Sequence, residues 1–344
     1  MTRTLVVCPG RGSYDRGSLG QLSNRSTAAA AVIDACDAYR ASLGRPTMRE
    51  LDGAERHSAR LHVAGEHASL LTFTCSLADF ADLREDLEVV GVTGNSMGWY
   101  TALGASGALD MADAMRLVET MGSYQQGHVV GGQLLTPVSD EHWNMDPERL
   151  QAVEEALHSV RGAGHQADWS IRLGGFAVLG ADQGGIRALM EALPQENRGS
   201  RNFPLQLPLH SAFHTALLTE TSQRARQDLV DLAFRRPKVP LIDGLGRVHT
   251  RWSADPAELW DYTLGAQVTD TYDFDIAVLT ALQYTAPDIV VVLGPGNSLG
   301  GPIARIMVMN GWMGMRTKAD FEKASKGSSP LLSFGLAPQR ALLT

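Results

Sequence analysis

The sequence predicts an α/β fold: a parallel sheet covered on both faces by helices, interrupted by a smaller inserted unit. Three observations predict it. Short apolar runs alternate with segments of 3/4-spaced apolar residues toward both ends of the chain, the pattern of strands joined by crossover helices. Between residues 131 and 207 the order changes to β-α-β-β-α-β, the ferredoxin-like arrangement. The chain has 344 residues, 44% of them hydrophobic, enough for a sizeable core and about two domains.

The elements follow in order. Thr4 to Cys8 is a short apolar strand, broken by Pro9-Gly10-Arg11-Gly12-Ser13. Ser26 caps an Ala-rich helix whose apolar positions include Val32, Ile33 and Cys36. A further helix covers residues 66–85, and Val89 to Thr93 is a second strand. Gly94 to Gly98 is a turn, Met97 to Ala105 is helical, and Asp110 starts a helix with Ala114, Leu117, Val118 and Met121 on one face. In the middle region, Gln133–Pro137, Asp168–Leu173, Phe176–Leu179 and Phe203–Leu207 read as strands. Asp146–Val160 and Asp182–Leu193 read as the helices between them. Residues 131–207 therefore form the insertion, with 195–202 as its loosest connection, and residues 1–130 and 208–344 form the core. The parallel pattern resumes with a helix after His214, a strand at Val239–Ile242, a helix at Phe274–Tyr284, a strand at Asp288–Leu293 and a helix near 299–309. From Lys323 onward the chain reads as a mobile surface tail.

Composition excludes several functions. The 38 acidic and 30 basic residues give a net charge of −8, which argues against a nucleic-acid partner. Cys8, Cys36 and Cys75 are the three cysteines. They form no C-x-x-C pair and no even disulfide set, so a reducing, cytoplasmic location is expected. The first apolar run is too short for a signal peptide, and no run approaches the about 20 residues of a membrane span, so no membrane partner is expected.

Gly94-Asn95-Ser96-Met97-Gly98 reads G-x-S-x-G between a strand and a helix. That context turns a serine outward at a sharp bend, where the N–H of Met97 can stabilise an oxyanion. A serine hydroxyl needs a base. Of ten histidines, His57, His62 and His67 lie in polar, exposed-looking surroundings, and His249 has no evident partner. His210 and His214 lie where the chain re-enters the core. Their i, i+4 spacing would place both on one face of a helix, but no acidic or cysteine ligand completes a metal set, so no metal is expected. Gly294-x-Gly296 opens a partial dinucleotide pattern with Asp320 downstream. Its third glycine is displaced, with Leu299 in its place, and no full βαβ unit follows.

The ordered set of motifs resembles the malonyl-CoA:acyl-carrier-protein transacylase family. Pro9-Gly10-Arg11-Gly12-Ser13 is similar to its P-G-Q-G-S loop, and Gly94–Gly98 to its G-H-S-x-G, continued by Gly107-Ala108-Leu109-Asp110. Phe213-His214 resembles the F-H of its catalytic histidine, and Leu293-Gly294-Pro295-Gly296 its late V-G-P-G turn. The resemblance spans residues 4–310. It implies an α/β-hydrolase-like core with the ferredoxin-like insertion, and a reaction without cofactor. An acyl group passes from acyl-CoA to Ser96 and then to the phosphopantetheine thiol of an acyl carrier protein. It further implies that His214 is the base, that a main-chain carbonyl near Thr263 to Gln267 orients it, and that the backbone N–H groups of Arg11 and Met97 form the oxyanion hole. Arg11, Asn95, Met121 and Phe213 are expected to contact substrate. An acidic carrier would meet a basic surface, for which Arg235, Arg236 and Lys238 are a candidate.

The chain also departs from the family. Arg11 replaces the loop glutamine, and Asn95 the histidine before the nucleophile. Malonyl-specific members carry R-L-V-x-x-R-G, whose second arginine pairs with the malonyl carboxylate; here Met121 stands at that position. Arg116 lies about 140° around the helix from it. Two explanations stand: Arg11 supplies the missing cation, or the pocket is apolar and takes acetyl or another uncharged group. A serine thioester hydrolase using the same Ser96 and His214 is a further alternative. Retention of both residues argues against a non-catalytic subunit.

Overall fold

The computed structural model describes residues 1–199 and 201–344. Its larger sheet has six strands in the order Val248–His249, Leu241–Ile242, Leu87–Gly94, Thr2–Cys8, Ile289–Val292, Leu331–Ser333. All neighbours are parallel except the first pair. Every side chain from Thr4 to Cys8 is buried, so the central strand is covered on both faces, as a parallel sheet flanked by helices requires. Val6 pairs with Val291 on one side and Val92 on the other, in one continuous hydrophobic core.

The smaller sheet runs Tyr272–Asp273, Ala167–Arg172, Phe176–Ala181, Gly132–Pro137, Leu205–Gln206. Its last four strands are antiparallel and take the spatial order 2-3-1-4 in chain sequence, that of a ferredoxin-like unit. Helices Pro147–Gly162 and Gln183–Ala192 close a separate small core around Leu134, Leu157, Leu179 and Leu189. Tyr272–Asp273, from the chain that builds the larger sheet, adds in parallel to the outer edge.

Helix Gly65–Ala81 crosses helix Met111–Ser123 at two glycines. A Cβ on Gly122 would sit 2.6 Å from the carbonyl oxygen of Gly65. Arg40, from the helix Thr27–Ser42, ties the pair further: its Nη1 donates to Glu66 O at 2.8 Å and to Glu119 at 2.7 Å, and Glu119 also takes Arg45. This contact fixes the end of the helix that faces the site.

Several sequence expectations need correction. Of residues 195–202, expected as a loose connection, Glu196–Arg198 pairs antiparallel with Arg201–Phe203, and residue 200 lies outside the described residues. The strand expected at Phe203–Leu207 is only Leu205–Gln206. The region after Lys323 is not a free tail, because Leu331–Ser333 forms the buried outer strand of the larger sheet. The helix expected over 66–85 ends at Ala81. Among the described residues no helix is long and apolar enough to cross a membrane.

Candidate active site

The strand Leu87–Gly94 ends one residue before Asn95, and the helix Gly98–Ala105 begins two residues after Ser96. Ser96 sits at the bend with φ of 55°, a left-handed conformation that costs a non-glycine residue on the order of 1 kcal/mol. The flanking glycines make the bend possible. A Cβ on Gly94 would collide with the backbone of Gly98, and one on Gly98 with the carbonyl of Cys8. The Tyr272 hydroxyl donates to Gly94 O at 2.5 Å, pinning the strand end. The bend thus holds Ser96 outward while its backbone is buried against two strands.

His214 stands 2.8 Å from Ser96, Nε2 to Oγ. It too has positive φ, 61°. Its N–H donates to Val268 O at 2.8 Å, and its Nδ1 donates to Gln267 O at 2.6 Å. A carbonyl only accepts, so Nδ1 carries the proton and Nε2 is left free to receive one from the serine. The orienting carbonyl is therefore that of Gln267, inside the stretch the resemblance pointed to. The Gln267 side chain reinforces the arrangement: Nε2 donates to Ser96 O at 3.1 Å, and Oε1 accepts from the Tyr100 hydroxyl at 2.8 Å. Burial lowers the His214 imidazole from its ordinary 6.5 to about 4, against the opposing pull of the Gln267 carbonyl. It is neutral at pH 7, as a base must be.

Met97 is the N-terminal boundary of the helix Gly98–Ala105, and Arg11 opens the short 3-10 turn Arg11–Ser13. Neither backbone N–H has a hydrogen-bond partner among the described residues. Gly10 brings the two loops together: a Cβ there would stand 3.0 Å from Asn95 O and 3.8 Å from the Ser96 Cβ. Two free donors thus flank the serine, the arrangement that stabilises a developing oxyanion.

Ser96 and His214 open onto a cavity of about 430 Å³. Arg11, Asn95, Met121 and Phe213 all line it, so the structure brings every predicted contact residue to one space. One wall is apolar and belongs to the smaller sheet, with Leu135, Ile171 and Val178. The opposite wall carries the Arg11 side chain. Its Nη1 donates to Gln125 Oε1 at 2.7 Å and its Nη2 to Leu209 O at 2.9 Å. Both acceptors are neutral. Burial lowers the guanidinium to about 10, against the pull of Glu66 through space. Arg11 is a buried cation without an ion-pair partner among the described residues. Gln125 lies one turn beyond Met121, so the Arg11 head rests against the end of the helix that carries Met121. Met121 itself is 3% exposed.

Other expectations turn out differently. Residues 208–214 are not helical, so His210 and His214 do not share a helix face. No metal-binding cluster occurs among the described residues. His62 is buried, not exposed, and clusters with Tyr14 and His57, its ring centroid 5.5 and 4.9 Å from theirs and theirs 6.3 Å apart. His249 does have a partner, Asp243 at 2.8 Å, in a buried pair. Gly296 is explained by packing, because a Cβ there would collide with Ser13 O. Asp320 serves a capping box with Thr317. Arg116 pairs with Asp231 at the surface. Arg235 and Lys238 bond the carbonyls of Ala108 and Ser106, at the end of the helix Gly98–Ala105 remote from Ser96. Sequence reasoning missed Gln125 and Leu209, the two groups that hold Arg11; both are unremarkable until a long-range contact gives them work.

No family model matches the chain. It is 24% identical over 311 residues to the malonyl CoA-acyl carrier protein transacylase of Bacillus subtilis (strain 168), covering 89% of this chain and 91% of that one. It is 26% identical over 240 residues to the methylphloroacetophenone synthase of Cladonia uncialis, covering 69% of this chain; the chain spans 9% of that synthase's length. Among solved structures, the malonyl-CoA:ACP transacylase of Synechocystis sp. PCC 6803 superposes with a TM-score of 0.75 at 18% identity, covering all of both chains. The MCAT of Streptococcus pneumoniae superposes with a TM-score of 0.73 at 21% identity, covering 99% of this chain and 100% of that one. The resemblance read from the sequence therefore holds in both sequence and fold, and it extends beyond residue 310.

Proposed function

We propose that the protein is an acyltransferase that moves a malonyl-type acyl group from CoA to the phosphopantetheine thiol of an acyl carrier protein. The carrying observation is the conjunction of Ser96 and His214 at 2.8 Å with the unpaired, buried Arg11 cation in the same cavity.

The chemistry follows from the groups present. His214 Nε2 takes the Ser96 proton as Oγ attacks the thioester carbon. The negative charge on the carbonyl oxygen is met by the N–H groups of Arg11 and Met97; losing one such donor typically costs about 10²–10³ in rate. Collapse breaks the carbon–sulfur bond, and the imidazolium returns its proton to the departing CoA thiolate. The carrier's thiol then attacks the acyl-Ser96 ester while the same histidine works in the opposite sense. The imidazolium formed in between is stabilised by the Gln267 carbonyl, with no aspartate required.

Arg11 favours a free carboxylate over an uncharged acyl group. A cation withdrawn from water without a carboxylate in direct contact is costly, and an anionic ligand relieves that cost. The guanidinium enters from the loop and not from the helix position where malonyl-specific members carry theirs. The three cysteines, all buried and free, support a reducing, cytoplasmic setting.

The test is intact-mass measurement after brief mixing with malonyl-CoA and acetyl-CoA together. A malonyl adduct that is absent from Ser96→Ala and discharged by a carrier protein is the expected result. Release of free acid at the same rate with and without carrier would make the protein a hydrolase instead.

A further inference from the structure

His210 lies beside the carbonyl of Leu209 that holds Arg11, and the transfer steps above do not use it. Its Nδ1 stands 2.8 Å from Pro208 O. Since that oxygen accepts, Nδ1 carries the proton and Nε2 is a bare acceptor. Nε2 points at Gly12, where a Cβ would lie 3.6 Å away; the glycine leaves the space before it open. His210 lines the same cavity as Ser96, and among the described residues no donor reaches its Nε2. Burial and the nearby Arg11 charge hold the imidazole down at about 3, against the pull of the Pro208 carbonyl. It is therefore neutral at pH 7.

The pocket thus presents a fixed cation and, beside it, a fixed hydrogen-bond acceptor. Plain malonyl satisfies the first through its carboxylate but offers the second nothing, because its C2 is a methylene. Resting on the transferase reading, we infer that His210 is a specificity-determining residue and that the preferred acyl group is a malonyl unit bearing a hydroxyl on C2. The hydroxyl donates to His210 Nε2 while the carboxylate pairs with Arg11. An amino substituent fits less well, since as an ammonium it would stand beside the Arg11 cation.

A hydroxyl and a methyl group differ little in size, so their comparison isolates the hydrogen bond. Acylation of Ser96 in the full chain is followed by intact mass with malonyl-, methylmalonyl- and hydroxymalonyl-CoA, each alone and in competition. Hydroxymalonyl is expected to exceed methylmalonyl in kcat/KM by about tenfold, the worth of one net hydrogen bond. In His210→Phe, which keeps a ring and removes the acceptor, that ratio is expected to fall to about one. A ratio near one in the wild-type chain overturns the inference without recourse to any variant. So does a preference that His210→Phe leaves intact. A malonyl-CoA KM that drops between pH 7 and 5, and is flat in His210→Phe, also overturns it by making His210 a second cation. Failure of all three donors to acylate Ser96 strikes the transferase reading itself, whereas malonyl acylation without a hydroxyl preference strikes this inference alone.

Discussion

Replacing Arg11 by glutamine is the most informative single perturbation. It removes the charge while retaining a polar side chain at the loop, and leaves the backbone N–H in place. The magnitude follows from the contacts. Arg11 is buried at 8% exposure, holds two neutral acceptors and has no carboxylate partner among the described residues. A carboxylate bound there gains a charge-assisted hydrogen bond worth about 1.5–3 kcal/mol, or roughly 10- to 150-fold in kcat/KM. Malonyl-CoA should lose that factor in Arg11→Gln while acetyl-CoA, which makes no such contact, stays within about threefold. The assay is competitive acylation of Ser96, read as the ratio of malonyl to acetyl adduct by mass. Because the unliganded cation has no direct ion pair among the described residues, the variant's melting temperature should not fall by more than a few degrees. Malonyl kcat/KM within threefold of wild type in a folded variant would refute the assignment and turn attention to Arg201, the other arginine that lines the cavity.

Four further outcomes are expected. Introducing Met121→Arg into Arg11→Gln should recover at least tenfold of the lost malonyl transfer, measured as kcat/KM, whereas Met121→Arg alone should lower the melting temperature by placing two cations together. The acid limb of kcat/KM should fall near pH 4, where burial holds His214; the same depression makes the unfolded chain take up the proton first, so stability is intact above pH 6.5 and declines by up to about 3 kcal/mol as the pH drops through 4, visible in denaturant midpoints against pH. Gly98→Ala, which drives a Cβ into the carbonyl of Cys8, should lower the melting temperature by about 10 °C and abolish acylation, since that bend aims Ser96. Glu119→Gln leaves Arg40, fully buried, without its carboxylate and should cost about 3–5 kcal/mol in chemical unfolding.

The nucleophile bend was legible because its signals are local. An apolar run, two glycines and a helical segment within about a dozen residues dictate one geometry. The inserted β-α-β-β-α-β unit was legible for the same reason, each strand and helix carrying its own period. What stayed hidden depends on distant contacts. His214 reaches Ser96 across 118 positions, and only the resemblance singled it out among ten histidines. His62 reads as polar surface until folding gathers it with Tyr14 and His57 into one cluster of rings. Leu331–Ser333 has three residues, too few to show a period, and is a strand only because Ile289–Val292 offers it an edge. Gln125 and Leu209 have no chemistry of their own and gain a role only from the side chain that reaches them.

Arg11 and Met121 read as two halves of one exchange. The head of Arg11 rests against the turn that follows Met121, on Gln125 Oε1, and Met121 fills the wall beneath it. A second guanidinium at position 121 would face the first with no carboxylate among the described residues in contact with either, and like charges in a low-dielectric pocket repel by several kcal/mol. The pocket therefore accommodates a cation at the loop or at the helix, but not at both. An apolar residue at 121 is then compatible with a charged one at 11. The choice of loop over helix also shifts the cation toward His210, whose imidazole it helps to keep unprotonated. A helix-borne arginine would reach the carboxylate without bringing that acceptor into the site, so moving the charge changes which acyl groups the pocket distinguishes as well as which one it holds.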